Sequence, residues 1–280
     1  MTSSKVVTKD SRRHTAVHVI LLLGCVVMAA PFVYQALGTF MTNEEITSVP
    51  PTLRPERWSF NGYLTVFEQI PFLNQLWSSV LITVTNTAGV VATSAVAGYA
   101  FARMRFRGRS VLFGAIVSML MVPTTLLLIP QFQTVQAFGW LNTTAGVVVP
   151  GIVSAFGIFL LRQVYLGLPV ALEEAARIDG ANPAQIFWFV ILPLVRPALS
   201  ALTILTVIVS WSSLLWPLII MTSAQDMPLS VGIASFRGEH STVYPAMLAA
   251  SFMASVPTMI FFLLLQRRVL DGIAFSGLRG

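Results

Sequence analysis

Six stretches of the chain run without an Asp, Glu, Lys or Arg: Ala16–Phe40, Phe72–Ala102, Ser110–Pro130, Thr143–Leu161, Pro197–Met221 and Tyr244–Leu265. Each is close to or above the roughly 20 apolar residues that a helix needs to cross a hydrocarbon layer of about 30 Å. The pattern predicts six transmembrane helices, the second beginning as an interfacial turn. Charge falls only in the ends and connections. Residues 1–15 read as an N-terminal tail and 16–71 as the first helix with its following loop. Residues 72–269 read as a helical core containing a polar connection at about 166–196, and 270–280 as a C-terminal tail.

Composition strengthens this reading. The 280 residues carry 17 Lys+Arg and 11 Asp+Glu, or 10% charged, against roughly 25% in an ordinary globular chain. A soluble domain so poor in charge could not solvate its surface, so the chain reads as an all-α integral membrane protein. A single cysteine, Cys25, excludes a scaffold stapled by internal disulfides. Val27-Met28-Ala29 would pass as a signal-peptide cleavage site, but the apolar run continues to Phe40, past the usual h-region of roughly 7–15 residues. The first helix therefore reads as an uncleaved anchor.

Orientation follows from the cations near the helix ends. Lys5, Lys9, Arg12 and Arg13 lie before the first run. Arg103, Arg105, Arg107 and Arg109 lie between the second and third, Arg162, Arg177 and Arg196 between the fourth and fifth, and Arg267, Arg268 and Arg279 at the end. These fourteen share one side, and Arg54, Arg57 and Arg237 hold the other. Both termini are expected in the cytoplasm. Trp58, Trp77, Trp140 and Tyr244 fit aromatic anchors on the far side. The net charge of +6 is thereby a feature of topology, and no nucleic-acid partner is implied. The strip Arg103–Arg109 serves topology and could also attract anionic headgroups.

Candidate chemistry is sparse. Lys5 and Lys9 are the only lysines, and a P-loop needs one after its Gly-rich turn; the chain is expected to bind no ATP of its own. No intramembrane carboxylate offers ion coupling. His18 lies near a helix end, and neither a metal-ligand cluster nor a nucleophile–base motif occurs. No metal site and no enzymatic activity are expected.

The connection Leu166–Leu199 has a legible local grammar. Pro169 suits position N1 of a short helix, with Glu173, Glu174 and Arg177 on a polar face and Leu172, Ala175 and Ala176 on an apolar one. Glu173 and Arg177 stand at i,i+4 spacing. Gly180 suits the C′ position that takes positive φ. Asn182 can cap a second helix, with Pro183 at N1 and Gln185 at N3. Pro193 and Pro197 break or kink the chain before the fifth run. The product is a helix–turn–helix at the membrane surface.

At these residues the chain resembles the permease subunits of ABC importers. Glu174-Ala175-Ala176, then Gly180, Val190 and Leu192-Pro193 are similar to that family's EAA loop, with Val190 where Ile is usual. Gly98–Arg109, Met121–Thr124, Asn142–Pro150 and Gln266–Gly280 resemble the maltose-type, carbohydrate-uptake branch, in its shorter six-span subunit. The resemblance implies a type I ABC importer permease architecture in the bacterial plasma (inner) membrane. It also implies four kinds of contact: a second, non-identical permease subunit, two ATPase subunits that bind ATP and Mg, an extracytoplasmic solute-binding protein, and the lipid bilayer. The coupling residues so implied are Glu173, Glu174, Ala175, Ala176, Arg177, Asp179, Gly180, Leu192 and Pro193. Among them Glu174 is implied as the contact to a basic residue of the ATPase, Ala175 and Ala176 as the close-packed face, and Gly180 as the turn. The family often has Trp-Asn in its fifth span, where this chain has Trp211-Ser212.

Two polar stripes stand at helical spacing. Ser79, Thr83, Asn86 and Thr87 mark the second helix and continue to Ser94; Thr203, Thr206, Ser210 and Ser213 mark the fifth, beside Trp211 and Trp216. Such residues could line a solute path or serve helix packing, where small hydroxyl residues are common. The absence of charge in all six runs favours a neutral polar solute such as a sugar, oligosaccharide or glycerol conjugate. Phosphate, peptide or polyamine transport, or a non-transporting scaffold, remain alternatives. The loop Ser223–Val243, with Asp226, Arg237, Glu239 and His240, matches in position a loop that reaches into the binding protein in the maltose-type system, and reads equally as a solvated connector.

Overall fold

The computed structural model describes residues 7–238 and 242–276. Among them the one strand-like feature is an isolated antiparallel bridge between Arg237 and Thr242; everything regular is helical. The helices are α1 (Val7–Gly38), α2 (Asn43–Thr47), α3 (Asn61–Gln69), α4 (Phe72–Arg103), α5 (Arg109–Ser118), α6 (Leu128–Ala137), α7 (Thr144–Val148), α8 (Ala155–Leu166) and α9 (Ala171–Ile178). They continue with α10 (Pro183–Leu194), α11 (Arg196–Trp211), α12 (Leu215–Ile220), α13 (Leu229–Ala234) and α14 (Tyr244–Ser276). Val17–Gly38, α4 and Tyr244–Phe261 are long and apolar enough to cross a membrane, and three bent helix pairs raise the number to six if each pair crosses once.

The bends correct the expectation of unbroken helices. Ser110–Pro130 is two helical pieces set at 100° to each other, Arg109–Met121 and Thr124–Ala137. Pro123 has no N–H to continue the ladder and pushes Val122 into extended backbone, φ −86° and ψ 119°. Thr143–Leu161 divides into Thr144–Gly151 and Ala155–Leu166 at 45°, and the second piece is restarted by the Ser154 hydroxyl accepting the Gly157 N–H at 3.1 Å. The 76° bend between α10 and α11 that leads into Pro197–Met221 is the break expected at Pro193 and Pro197, but the run itself also breaks between Trp211 and Leu215. The second run has no initial turn: α4 is helical from Phe72, and α3 is a separate element before it.

The chain divides into two compact units, Met1–Gln69 with Ser235–Met253, and Ile70–Ala234 with Ala254–Gly280. In the first, α1 is apolar and exposed on all sides from Val17 to Phe32, so hydrocarbon is its solvent. Beyond α1 the chain is pinned by Phe40, whose ring meets Trp58, Phe60 and Tyr63 at 5.2, 5.3 and 5.7 Å. Gly62 lets α3 approach the backbone of Thr39 and Pro245, where a Cβ would sit about 3 Å from both carbonyl oxygens.

In the second unit α4 is the central post. Its buried side includes Ser79, Ile82, Thr83, Thr87, Val90, Ser94, Ala95, Gly98 and Ala102. Small residues let α8 approach closely: a Cβ on Gly98 would lie 3.1 Å from the Arg162 nitrogen, and one on Gly157 would collide with the Ser94 hydroxyl. One core cluster joins α4, α8, α10 and α11 through Ala102, Leu161, Tyr165, Ile186, Phe187, Ile191 and Leu202. Another gathers Ile82, Val148, Ile220 and Met221, with Trp216 packed against it.

A helical elbow as candidate functional site

The connection from α8 to α11 folds into an elbow. After α8, Gly167–Pro169 turns the chain and Val170 serves as N-cap, so Pro169 stands just before the helix and not at N1 as expected. α9 ends in a Schellman arrangement: the Gly180 N–H donates to Arg177 O at 3.0 Å, and the Ala181 N–H to Ala176 O at 2.9 Å. Gly180 sits at φ +84°, as its place in the sequence predicted. Two residues later the Asn182 side chain accepts the Gln185 N–H at 2.9 Å, and the Gln185 side chain accepts the Asn182 N–H at 2.8 Å. That capping box starts α10, whose Ile186–Ile191 stretch is π-helical. The wider turn accommodates Pro193, which cannot donate in an α-helical ladder.

The faces of α9 differ from the sequence reading. Glu173 is inward, with its side chain 4% exposed, and Arg103 at the end of α4 is 10% exposed beside it. Arg103 Nε lies 3.0 Å from Glu173 Oε1. The same guanidinium donates through Nη2 to the carbonyls of Tyr165 (2.8 Å) and Leu168 (2.6 Å). Arg177, largely exposed, reaches Glu173 Oε2 at 3.7 Å in the anticipated i,i+4 pair. With Glu173 drawn inward, Ala176 is the alanine that packs on the core cluster, and Leu172, Glu174 and Ala175 face out. The polar and apolar faces deduced from periodicity are thus corrected: a buried cation decides which side of α9 is inside.

The remaining elbow residues are spread over both surfaces. Asp179 is the exposed C-cap of α9. Leu192 is half-buried on the core cluster, and Pro193 is half-buried at the bend. Ile178 is 86% exposed and Phe189 is also exposed, so the outer surface combines a carboxylate, an alanine and large apolar side chains. Arg103 was legible only as one of four basic positions; its place within the Gly98–Arg103 helix end, one turn inside the last apolar residues, was the available signal. Arg162, another cation of the same region, lies 4.0 Å over the Phe113 ring and donates to Phe101 O at 3.1 Å.

The polar stripes divide in a similar way. Thr83 and Thr87 are buried with hydroxyls that find no hydrogen-bond partner, and Asn86 is half-buried beside Gly151. Thr206 bonds back to Leu202 O at 2.8 Å. Ser210 is half-buried. Trp211 donates to Ala254 O and Trp216 to Gly146 O, both at 3.2 Å, and the Ser213 carbonyl accepts from Ser230 Oγ at 2.7 Å. Ser212 is exposed and bonds back to Ile208 O.

Over its first half the following loop is tied to α4, although Ala224, Gln225 and Asp226 stay exposed. Gln75 Nε2 donates to Ala224 O at 3.0 Å, Asn74 pairs with Gln225 at 2.6 Å, and the Leu229 N–H donates to Ser79 Oγ at 2.7 Å. Asn142, a non-glycine at φ 56°, accepts from the Thr222 and Ser223 N–H groups at 2.6 and 3.1 Å. Asp226 accepts from Ser223 Oγ, Arg237 is exposed, and Glu239 and His240 lie outside the described residues.

An all-α chain of long and broken apolar helices, with a capped elbow set on its core, has the fold of ABC importer permeases. A bacterial ABC transporter involved in the import of the acidic polysaccharide alginate superposes with a TM-score of 0.77, covering 95% of this chain and 99% of that one at 23% identity. The MetNI methionine ABC transporter gives 0.56 over 72% of this chain and 95% of that one at 18% identity. Residues 89–271 match the family described as binding-protein-dependent transport system inner membrane component, and the chain belongs to that family. The arabinooligosaccharides transport system permease protein AraQ of Halalkalibacterium halodurans is 33% identical over 257 residues, 89% of this chain and 91% of its own. The lactose transport system permease protein LacG of Rhizobium radiobacter is 30% identical, over 92% and 93%. The sn-glycerol-3-phosphate transport system permease protein UgpE of Salmonella typhi is 30% identical, over 92% and 95%.

Proposed function

We propose that the chain is one of two non-identical permease subunits of an ATP-driven importer for a neutral carbohydrate, crossing the bacterial plasma membrane six times with both termini in the cytoplasm. Two ATPase subunits bind ATP and Mg and seat the α9–α10 elbow, and an extracytoplasmic binding protein delivers the solute. The observation that carries this reading is the elbow itself. Its inner side is buried on α4 and α8, while Glu174, Ala175 and Ile178 remain open to a partner. The excess of cations at the ends and connections supports the orientation, and the same rule puts the elbow in the cytoplasm. The hydroxyls of Thr83 and Thr87, without a partner among the described residues, with Asn86 on the same helix, Thr206, Ser210 and Trp211 on α11, Ser213 in the break after it and Trp216 on α12, supply groups to a polyol path.

Relatives named for arabino-oligosaccharides and lactose support a carbohydrate, and those named for glycerol phosphate and alginate share its hydroxyl-rich chemistry. The charge-free apolar runs favour the neutral members of that set. The test is uptake by vesicles holding the complete importer, with neutral oligosaccharides and their acidic counterparts compared. Neutral oligosaccharides should raise the Tm of the binding protein and be taken up. Glu174→Lys should cut uptake by roughly 30-fold or more, the cost of reversing one member of a buried interfacial charge pair, while the chain still reaches the membrane. Uptake restricted to acidic solutes would overturn the substrate reading, and wild-type uptake by Glu174→Lys would overturn the docking reading.

A further inference from the structure

We propose that Arg103 is a positioning residue that fastens the α9 elbow to the end of α4, so that a displacement imposed on α9 carries α4 with it as one body. The inference rests on the reading of α9 as the place where the ATPase pushes, and it concerns how that push reaches the transmembrane helices. α9 has only eight residues and is joined to α8 by a short turn. Of its side chains, Glu173 is fully inside and Ala176 partly so. Packing of that extent leaves a short helix free to pivot.

The guanidinium removes the freedom. It is the last residue of α4, it grips the carbonyl of Tyr165 in α8 and of Leu168 in the turn, and it meets Glu173 in the first turn of α9. Four segments converge on one planar cation, which holds the carbonyls of Tyr165 and Leu168 by directed hydrogen bonds and Glu173 by charge at 3.0 Å, without a directed hydrogen bond. A buried ion pair contributes little net stability compared with apolar residues in its place, and losing one partner is costly. Its physical use here is geometric: a pivot becomes a rigid joint. Coupling between distant sites needs such a contiguous rigid element.

The experiment uses the complete importer in vesicles, with Cys25 replaced by serine and spin labels on Leu172→Cys in α9 and Leu73→Cys near the start of α4. Both positions are exposed, at 39% and 69%, and lie far enough apart along the roughly 1.5 Å per residue of α4 for a dipolar distance measurement. The expected result is one narrow distance, the same with and without ATP. Glu173→Gln and Arg103→Gln should each broaden it and make it depend on nucleotide, and lower the solute carried per ATP hydrolysed about tenfold. The double variant should be no worse than either single one, because both remove the same contact. Arg103→Lys keeps the charge without the fork and should give intermediate broadening in an assembled complex.

A distance that changes with nucleotide in the parent protein would overturn the proposal, and this measurement depends on no variant folding. So would variants that keep the narrow distance and the parent ratio. Failure of the docking reading has another signature, read on a separate preparation labelled at Ile178→Cys alone: that label stays equally mobile and open to an aqueous relaxation reagent whether or not ATPase subunits are present.

Discussion

Glu45 is half-buried, and its carboxylate has a defined place. It accepts the Thr42 N–H at 2.6 Å and the Glu56 N–H at 2.9 Å, while its own N–H donates to the Thr42 hydroxyl at 3.3 Å. Those are the bonds of a capping box plus one clamp on the chain eleven residues on. The Thr42 N–H first, and the Glu56 N–H second, hold the carboxyl below its ordinary value of 4.5. A depressed folded value stabilises the loop fully above the ordinary value, and the contribution is lost as pH falls through the lowered one. Amide exchange should therefore show Thr42 and Glu56 protected at neutral pH, with protection disappearing in acid after correction for intrinsic rates. Glu45→Ala should exchange rapidly at both, and Glu45→Gln, whose neutral amide oxygen still accepts, should keep protection that shows no such pH dependence. Protection unchanged between neutral and acid would mean that other contacts order this loop.

An element needs its ends as much as its faces, and the elbow shows which of these a sequence displays. Gly180 and the Asn182–Gln185 box were legible because a cap is decided within a few residues by φ and by short hydrogen bonds. Replacing Gly180 by alanine meets no atom within 4 Å, but it forces an L residue to φ +84°. That costs on the order of 1–2 kcal/mol. Exchange of the Ala181 amide, which closes the Schellman bond, should quicken by about tenfold, and Gly180→Asn should recover most of the protection because asparagine tolerates that region. The inner face of α9 was not legible, because periodicity weighs each residue by its own polarity. Glu173 is inside only because Arg103, distant in sequence, meets it there. The breaks inside the apolar runs were missed for a related reason: composition reports that a run is apolar, whereas Val122-Pro123 turns it through local backbone geometry; the bend before the fifth run was legible from Pro193 and Pro197. The apolar runs, and the two short helices of the connection between the fourth and fifth, were read correctly as helical.

For the molecule as a whole, the proposed function has energy arrive from partner subunits. Lys5 and Lys9 are its only lysines and both precede the first apolar run, so no lysine is available to follow a phosphate-cradling turn and reach the β- and γ-phosphates. Among the described residues there is also no group of three or more His, Cys, Asp or Glu that could hold a metal ion. What the chain does carry is an elbow seated on the post that runs through its second unit. Purified alone in detergent or vesicles, the chain should release no phosphate from ATP above the rate of empty membranes. Adding the ATPase subunits should restore hydrolysis, and Glu174→Lys should remove the part of it that responds to the loaded binding protein. The diagnostic comparison is between stimulated and basal rates, because damage to the ATPase lowers both whereas a lost contact at the elbow lowers only the first. Phosphate release by the chain in the absence of every partner subunit would refute the division of labour, since it would require an ATP site that two lysines in an N-terminal tail do not build.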